Sequence, residues 1–87
     1  MKRLKWRGKM NKLIAQRALD LQLRYQIIKG DMPDPKDEKA RIKWKRERDD
    51  TRELMYHSVE LALLSAGVET FGMGKKKMLQ RFEGEIV

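Results

Sequence analysis

The sequence predicts an all-α protein: a helical hairpin with one long second helix and a short C-terminal helix, completed by dimerisation or by a partner. Three observations carry this expectation. Between Lys9 and Lys29 no Pro or Gly interrupts the chain, and Ile14, Ala18, Leu21, Tyr25 and Ile28 recur at spacings of four and three, the period of one helix face. A second run without a breaker extends from Pro35 to Gly67. No segment alternates Val, Ile and Thr between turn residues, so strands have no support.

Residues 9–29 read as helix one, with Leu13, Leu19, Leu23 and Ile27 widening its apolar stripe. Gly30 stands where a C-terminal cap belongs, and Lys29 in the last turn opposes the negative end of the macrodipole. The segment DMPDPKDEK then reads as a tight connection and a helix start. Asp34 is placed as the cap, Pro35 at the first helical position, and Asp37 and Glu38 in the first turn. Helix two covers residues 35–66, about 48 Å at 1.5 Å per residue. Asp50 and Glu53 have capping-box spacing and offer a break into two helices. The continuous form is favoured, because Asp and Thr cost only a few tenths of a kcal/mol inside a helix. Gly72 and Gly74 mark a turn, after which residues 75–83 form a short helix with Met78, Leu79 and Phe82 on one side. With residues 1–8 as a basic arm, the 87 residues make one domain with a thin stability margin.

A short turn at 30–34 sets Ile14 beside residue 50, so helix one lies on residues 36–52. That stretch offers only Ala40, Ile42 and Trp44 as apolar cover. Its remaining residues suggest ion pairs at Asp37/Arg41, Lys43/Glu47, Lys45/Asp49 and Arg46/Asp50. The apolar half of helix two, from Leu54 to Leu64, is left largely uncovered, at about 1.5 to 3 kcal/mol for each large side chain in water. A homodimer or another protein is therefore expected to complete the structure. Ile14, Leu21, Tyr25, Ile28, Leu61 and Leu64 are assigned to that surface.

The formal net charge is +8, and all of it resides in the first 29 residues, where nine Lys/Arg face the single Asp20. A patch of one sign attracts polyanions, which makes nucleic acid the first partner class. Lys2, Arg3, Lys5, Arg7, Lys9 and Lys12 surround Trp6, joining phosphate-neutralising cations to an aromatic that can stack on a base. Against this stands a solvated tail whose Trp6 packs on Met10 and Leu13. The RIKWKRER segment of helix two has cations on two sides but interspersed acids, and reads as a solvated, ion-paired surface.

Other chemistry is largely excluded. The chain has no cysteine, which removes disulfides and thiolate metal sites and fits a reducing compartment. Its basic opening lacks the uninterrupted apolar core and cleavage site of a signal peptide, and no stretch reaches the ~20 apolar residues of a membrane span. GMGKKK places Gly72, Gly74, Lys75, Lys76 and Lys77 at a helix start, a geometry suited to an anion. It is not a Walker A loop, since Lys76 stands where Ser or Thr is needed, and an ordinary helix-start turn accounts for the same residues. Asp50, Glu53 and the lone His57 share a helix face, but one imidazole and two carboxylates do not make a metal site. Ser58 and Ser65 lack the partners of a nucleophile. No enzyme activity, cofactor, metal or small-molecule substrate is expected.

At Phe71, Gly72, Gly74, Lys75, Lys76, Arg81 and Phe82 the chain resembles a C-terminal segment of small proteins encoded by phages of Gram-positive bacteria. There an aromatic stands at the position of Met73 and an arginine at that of Lys77. The resemblance covers about the last third of the chain. It implies a phage-like origin and a bacterial cytoplasm as location, and brings no function with it. Two readings follow: a non-catalytic protein that binds nucleic acid through the N-terminal basic patch, or a regulator that docks on a host protein complex of transcription, replication or defence through exposed apolar helix faces.

Overall fold

The computed structural model describes residues 10–86 and contains three helices: α1 (Lys12–Gly30), α2 (Glu38–Ser65) and α3 (Lys75–Glu85). The chain is all-α, with no strand element among the described residues.

Helix boundaries follow side-chain capping, and several differ from the sequence expectation. α1 begins at Lys12 and not at Lys9, because Asn11 is its cap: the side-chain oxygen accepts the N–H groups of Leu13 and Ile14 at 2.9 and 3.1 Å. Gly30 is not the C-cap. It is the last helical residue, and the Asp31 N–H closes the end by donating to the Ile28 carbonyl at 3.1 Å, so no left-handed residue is required there. α2 starts three residues beyond Pro35, since Asp34 builds a turn of its own. Its Oδ1 accepts from the Lys36 N–H at 2.9 Å and its carbonyl from the Asp37 N–H at 3.0 Å, the side-chain-braced turn typical of Asp-Pro. Asp37 then caps α2 by accepting from the Ala40 N–H at 3.1 Å. No break occurs at Asp50. Asp49 is held by Arg48 at 3.0 Å and Arg52 at 3.8 Å, and Thr51 is buried, so the helix runs through.

The hairpin is antiparallel, but its register is not the expected one. At one end the Asn11 N–H donates to Ser65 Oγ at 2.8 Å; near the other, Trp44 Nε1 donates to the Ile28 carbonyl at 2.7 Å. Ile14 therefore lies toward the C-terminal part of α2 and not beside residue 50. This register brings Ala15 and Ala18 of α1 into one buried core with Val59, Ala62 and Leu63 of α2, and the indole N–H joins the Asp31 N–H on the Ile28 carbonyl at the other end. The apolar half of α2 is consequently covered in large part: Val59, Ala62 and Leu63 form one buried core with Ala15 and Ala18 of α1, Met10, and Met78 and Phe82 of α3, and Met55 is buried as well. None of the four expected ion pairs in the first half of α2 forms within 4.0 Å; the pairs among the described residues are Arg48–Asp49, Arg52–Asp49, Lys75–Glu53 and Arg81–Glu85.

Gly67 and Gly72 supply the two left-handed positions that bring α3 back onto α2. With Gly67 at φ +80°, its N–H donates to the Leu64 carbonyl and the Val68 N–H to that of Leu63, a Schellman closure whose Val68 packs on the core. Gly72 at φ +81° occupies the third position of a turn closed by the Met73 N–H on the Thr70 carbonyl. The radius of gyration, 15.2 Å, exceeds the about 12 Å of a compact chain this long, and several large apolar side chains remain at the surface.

Candidate functional site

Of the residues assigned to nucleic acid, Lys2, Arg3, Lys5, Trp6, Arg7 and Lys9 lie outside the described residues; Lys12 is the exposed first residue of α1. Arg17, Arg24 and Lys29 are also exposed. Among the described residues, none of these four cations has a carboxylate within 4.0 Å, although Lys29 stands 5.9 Å from the Tyr25 ring centre. Some cations on α2 and α3 are engaged. Arg48 stacks on Trp44 at 4.9 Å and pairs with Asp49, and Arg81 reaches Glu85 at 3.0 Å.

The GMGKKK segment starts α3 with Gly74 as a cap that offers no side-chain hydrogen bond. Lys75 turns away to α2, where its Nζ is 3.0 Å from Glu53 Oε1 and 5.5 Å from the Tyr56 ring centre. It thus ties α3 down, leaving Lys76 and Lys77 exposed beside Gly72 and Gly74. No group of three or more His, Cys, Asp or Glu residues able to hold a metal occurs among the described residues.

The residues assigned to a partner surface divide. Ile14 packs against the core, and Leu21, Tyr25 and Ile28 are half-buried in the hairpin. Leu61 and Leu64 remain 40% and 50% exposed. Two more leucines join them: Leu13, 83% exposed, and Leu54, 50% exposed. Leu13, Leu21 and Leu54 line an open groove of about 420 Å³ between α1 and α2, with Arg17, Asp20 and Arg24 along its α1 edge. Sequence reasoning missed this groove because it spans two helices whose register was misplaced. A smaller hollow of about 370 Å³ lies at the start of α2, where Met32, Ile42 and Trp44 meet Arg41, Lys45 and Arg48.

No family model matches this sequence, and neither curated proteins nor solved structures give a match to it. No helix among the described residues is long and apolar enough to cross a membrane.

Proposed function

We propose that this is a small, non-catalytic, phage-type protein of the bacterial cytoplasm that binds nucleic acid through its basic N-terminal patch. One observation carries the reading: the cations of residues 30–87 are matched in number by acids of the same stretch, whereas Lys12, Arg17, Arg24 and Lys29 share α1 with the single acid Asp20 and have no carboxylate within 4.0 Å among the described residues. These four cations continue along α1 the basic stretch that gives the first 29 residues their net +8, a charge pattern suited to an external polyanion.

Binding to labelled duplex DNA, single-stranded DNA and RNA across a salt series tests this. Deleting residues 2–12 is a poor probe, because it removes the buried Met10 and the Asn11 cap. Replacing Lys2, Arg3, Lys5, Arg7, Lys9 and Lys12 with Gln keeps both. Every phosphate that the variant no longer neutralises should flatten the log-log slope by about 0.9 on duplex DNA, or about 0.7 on single strands. Unchanged binding and slope would remove these residues from the function.

The open groove with Leu13 and Leu54, continued by Leu61 and Leu64, supports a second reading: docking on a host protein complex. Nuclease-treated capture from host lysate should then retain one stoichiometric protein that Leu61→Asp or Leu64→Asp releases. Recovery of nucleic acid alone would reject this reading.

A further inference from the structure

We infer that the α1/α2 groove takes an amphipathic helix of another protein that carries carboxylates along one edge of its apolar stripe; this rests on the docking reading above. Two antiparallel helices leave a groove on each side of their contact. Here α3 fills one, with Met78 and Phe82 in the shared core. The other is open. On α1, Gln22 donates to Glu83 of α3 at 3.3 Å, while Leu21 lines the groove; successive helical residues point about 100° apart. On α2, Tyr56 lies beside Lys75 of α3, while Leu54 lines the groove, about 200° away around the helix. The groove thus lies across the hairpin from α3, and its leucine floor suits a helix presenting apolar residues at three- and four-residue spacing.

Charge sets the identity of that helix. Along the α1 edge Arg17 and Arg24 are separated by seven residues, two helical turns, and neither is ion-paired among the described residues. Asp20 between them is already engaged by the Gln16 amide at 3.0 Å. The α2 edge differs, since the charged residue one turn from Leu54 on the same face is the acid Asp50. Carboxylates are thus favoured only on the edge of the incoming helix that faces α1. A second copy fits less well. Leu13, Leu54, Leu61 and Leu64 together present a few hundred Å², against about 800 Å² per partner in an ordinary stable interface, and each copy brings +8.

The test is selection from a displayed library of helical peptides about 16 residues long, with leucines fixed at three- and four-residue spacing and the flanking positions randomised. The full-length protein serves as bait. Selected peptides should be enriched in Asp and Glu on one edge, and should bind Leu54→Glu at least about tenfold more weakly by anisotropy. The double variant Arg17→Glu/Arg24→Glu should instead prefer the same peptides with Lys on that edge, a gain that misfolding does not produce. Four results overturn the proposal: selection without acidic bias, binding unaffected by Leu54→Glu, displacement of the peptide by DNA without a change of preference in the double variant, or a Leu54-dependent homodimer in sedimentation. If selection fails while lysate capture still depends on Leu61 and Leu64, the docking reading stands and the acidic helix does not.

Discussion

A single side chain, Trp44, ties the closed end of the hairpin. Its ring supports Arg48 on one side, and its Nε1–H meets the Ile28 carbonyl, which also accepts the Asp31 N–H that closes α1. Trp44→Phe keeps a ring at the site but removes the donor. The Ile28 carbonyl keeps the Asp31 N–H, so the cost is one net hydrogen bond, about 1 kcal/mol, and the urea midpoint should fall with little change in slope. A double variant that adds Asn11→Ala, removing the cap at the far end of α1, should lose about a further 1 kcal/mol. The two losses should add, because the sites lie at opposite ends of the hairpin. The bond between Trp44 and Ile28 is not legible in the sequence. Nothing in the spacing of apolar residues indicates which carbonyl an indole will find, nor that the small Ala15 and Ala18 share a core with Val59, Ala62 and Leu63, which shifts the register from the expected one.

At the scale of the element, the presence, order and type of the three helices were legible from the apolar period and the breakers. Their ends were less so, because several residues competed for each cap. Asp34 and Asp37 both carry a capping carboxylate, and only the turn around Pro35 decides between them. The glycines illustrate the same point. Gly30 and Gly67 each follow an apolar helix, yet only Gly67 is left-handed. A Cβ added at either position meets nothing within 4 Å, so backbone conformation alone separates them. Gly30→Ala should raise stability by about 0.5 to 1 kcal/mol, by favouring the helix and restricting the unfolded chain. Gly67→Ala should lower it by about 1 kcal/mol through left-handed strain. Chemical denaturation of the two variants side by side checks the opposite signs. Equal effects would show that Gly67 does not hold the Schellman closure.

For the whole molecule, the charge pattern was legible and the packing was not. The location of +8 in the first third is a property of composition, whereas cover for α2 depends on residues far apart in the chain. Phe82 is the clearest case. It is fully buried in a core that also takes in Ala15 and Ala18 of α1 and Val59, Ala62 and Leu63 of α2, so one core draws on all three helices. Phe71, in the same stretch resembling phage proteins, is 92% exposed. Phe82→Ala should cost about 3 to 5 kcal/mol, a large part of the roughly 5 to 15 kcal/mol that holds a small domain together. At about 4 to 8 °C per kcal/mol for a chain of this size, melting should fall by roughly 12 to 40 °C, while Phe71→Ala should change stability by no more than about 0.5 kcal/mol. Because one core joins the helices, helicity by circular dichroism and tryptophan fluorescence should be lost in a single coincident transition. Separate transitions in the wild-type protein would mean instead that α3 docks on a hairpin able to stand alone, and Phe82→Ala would then remove only the first of them.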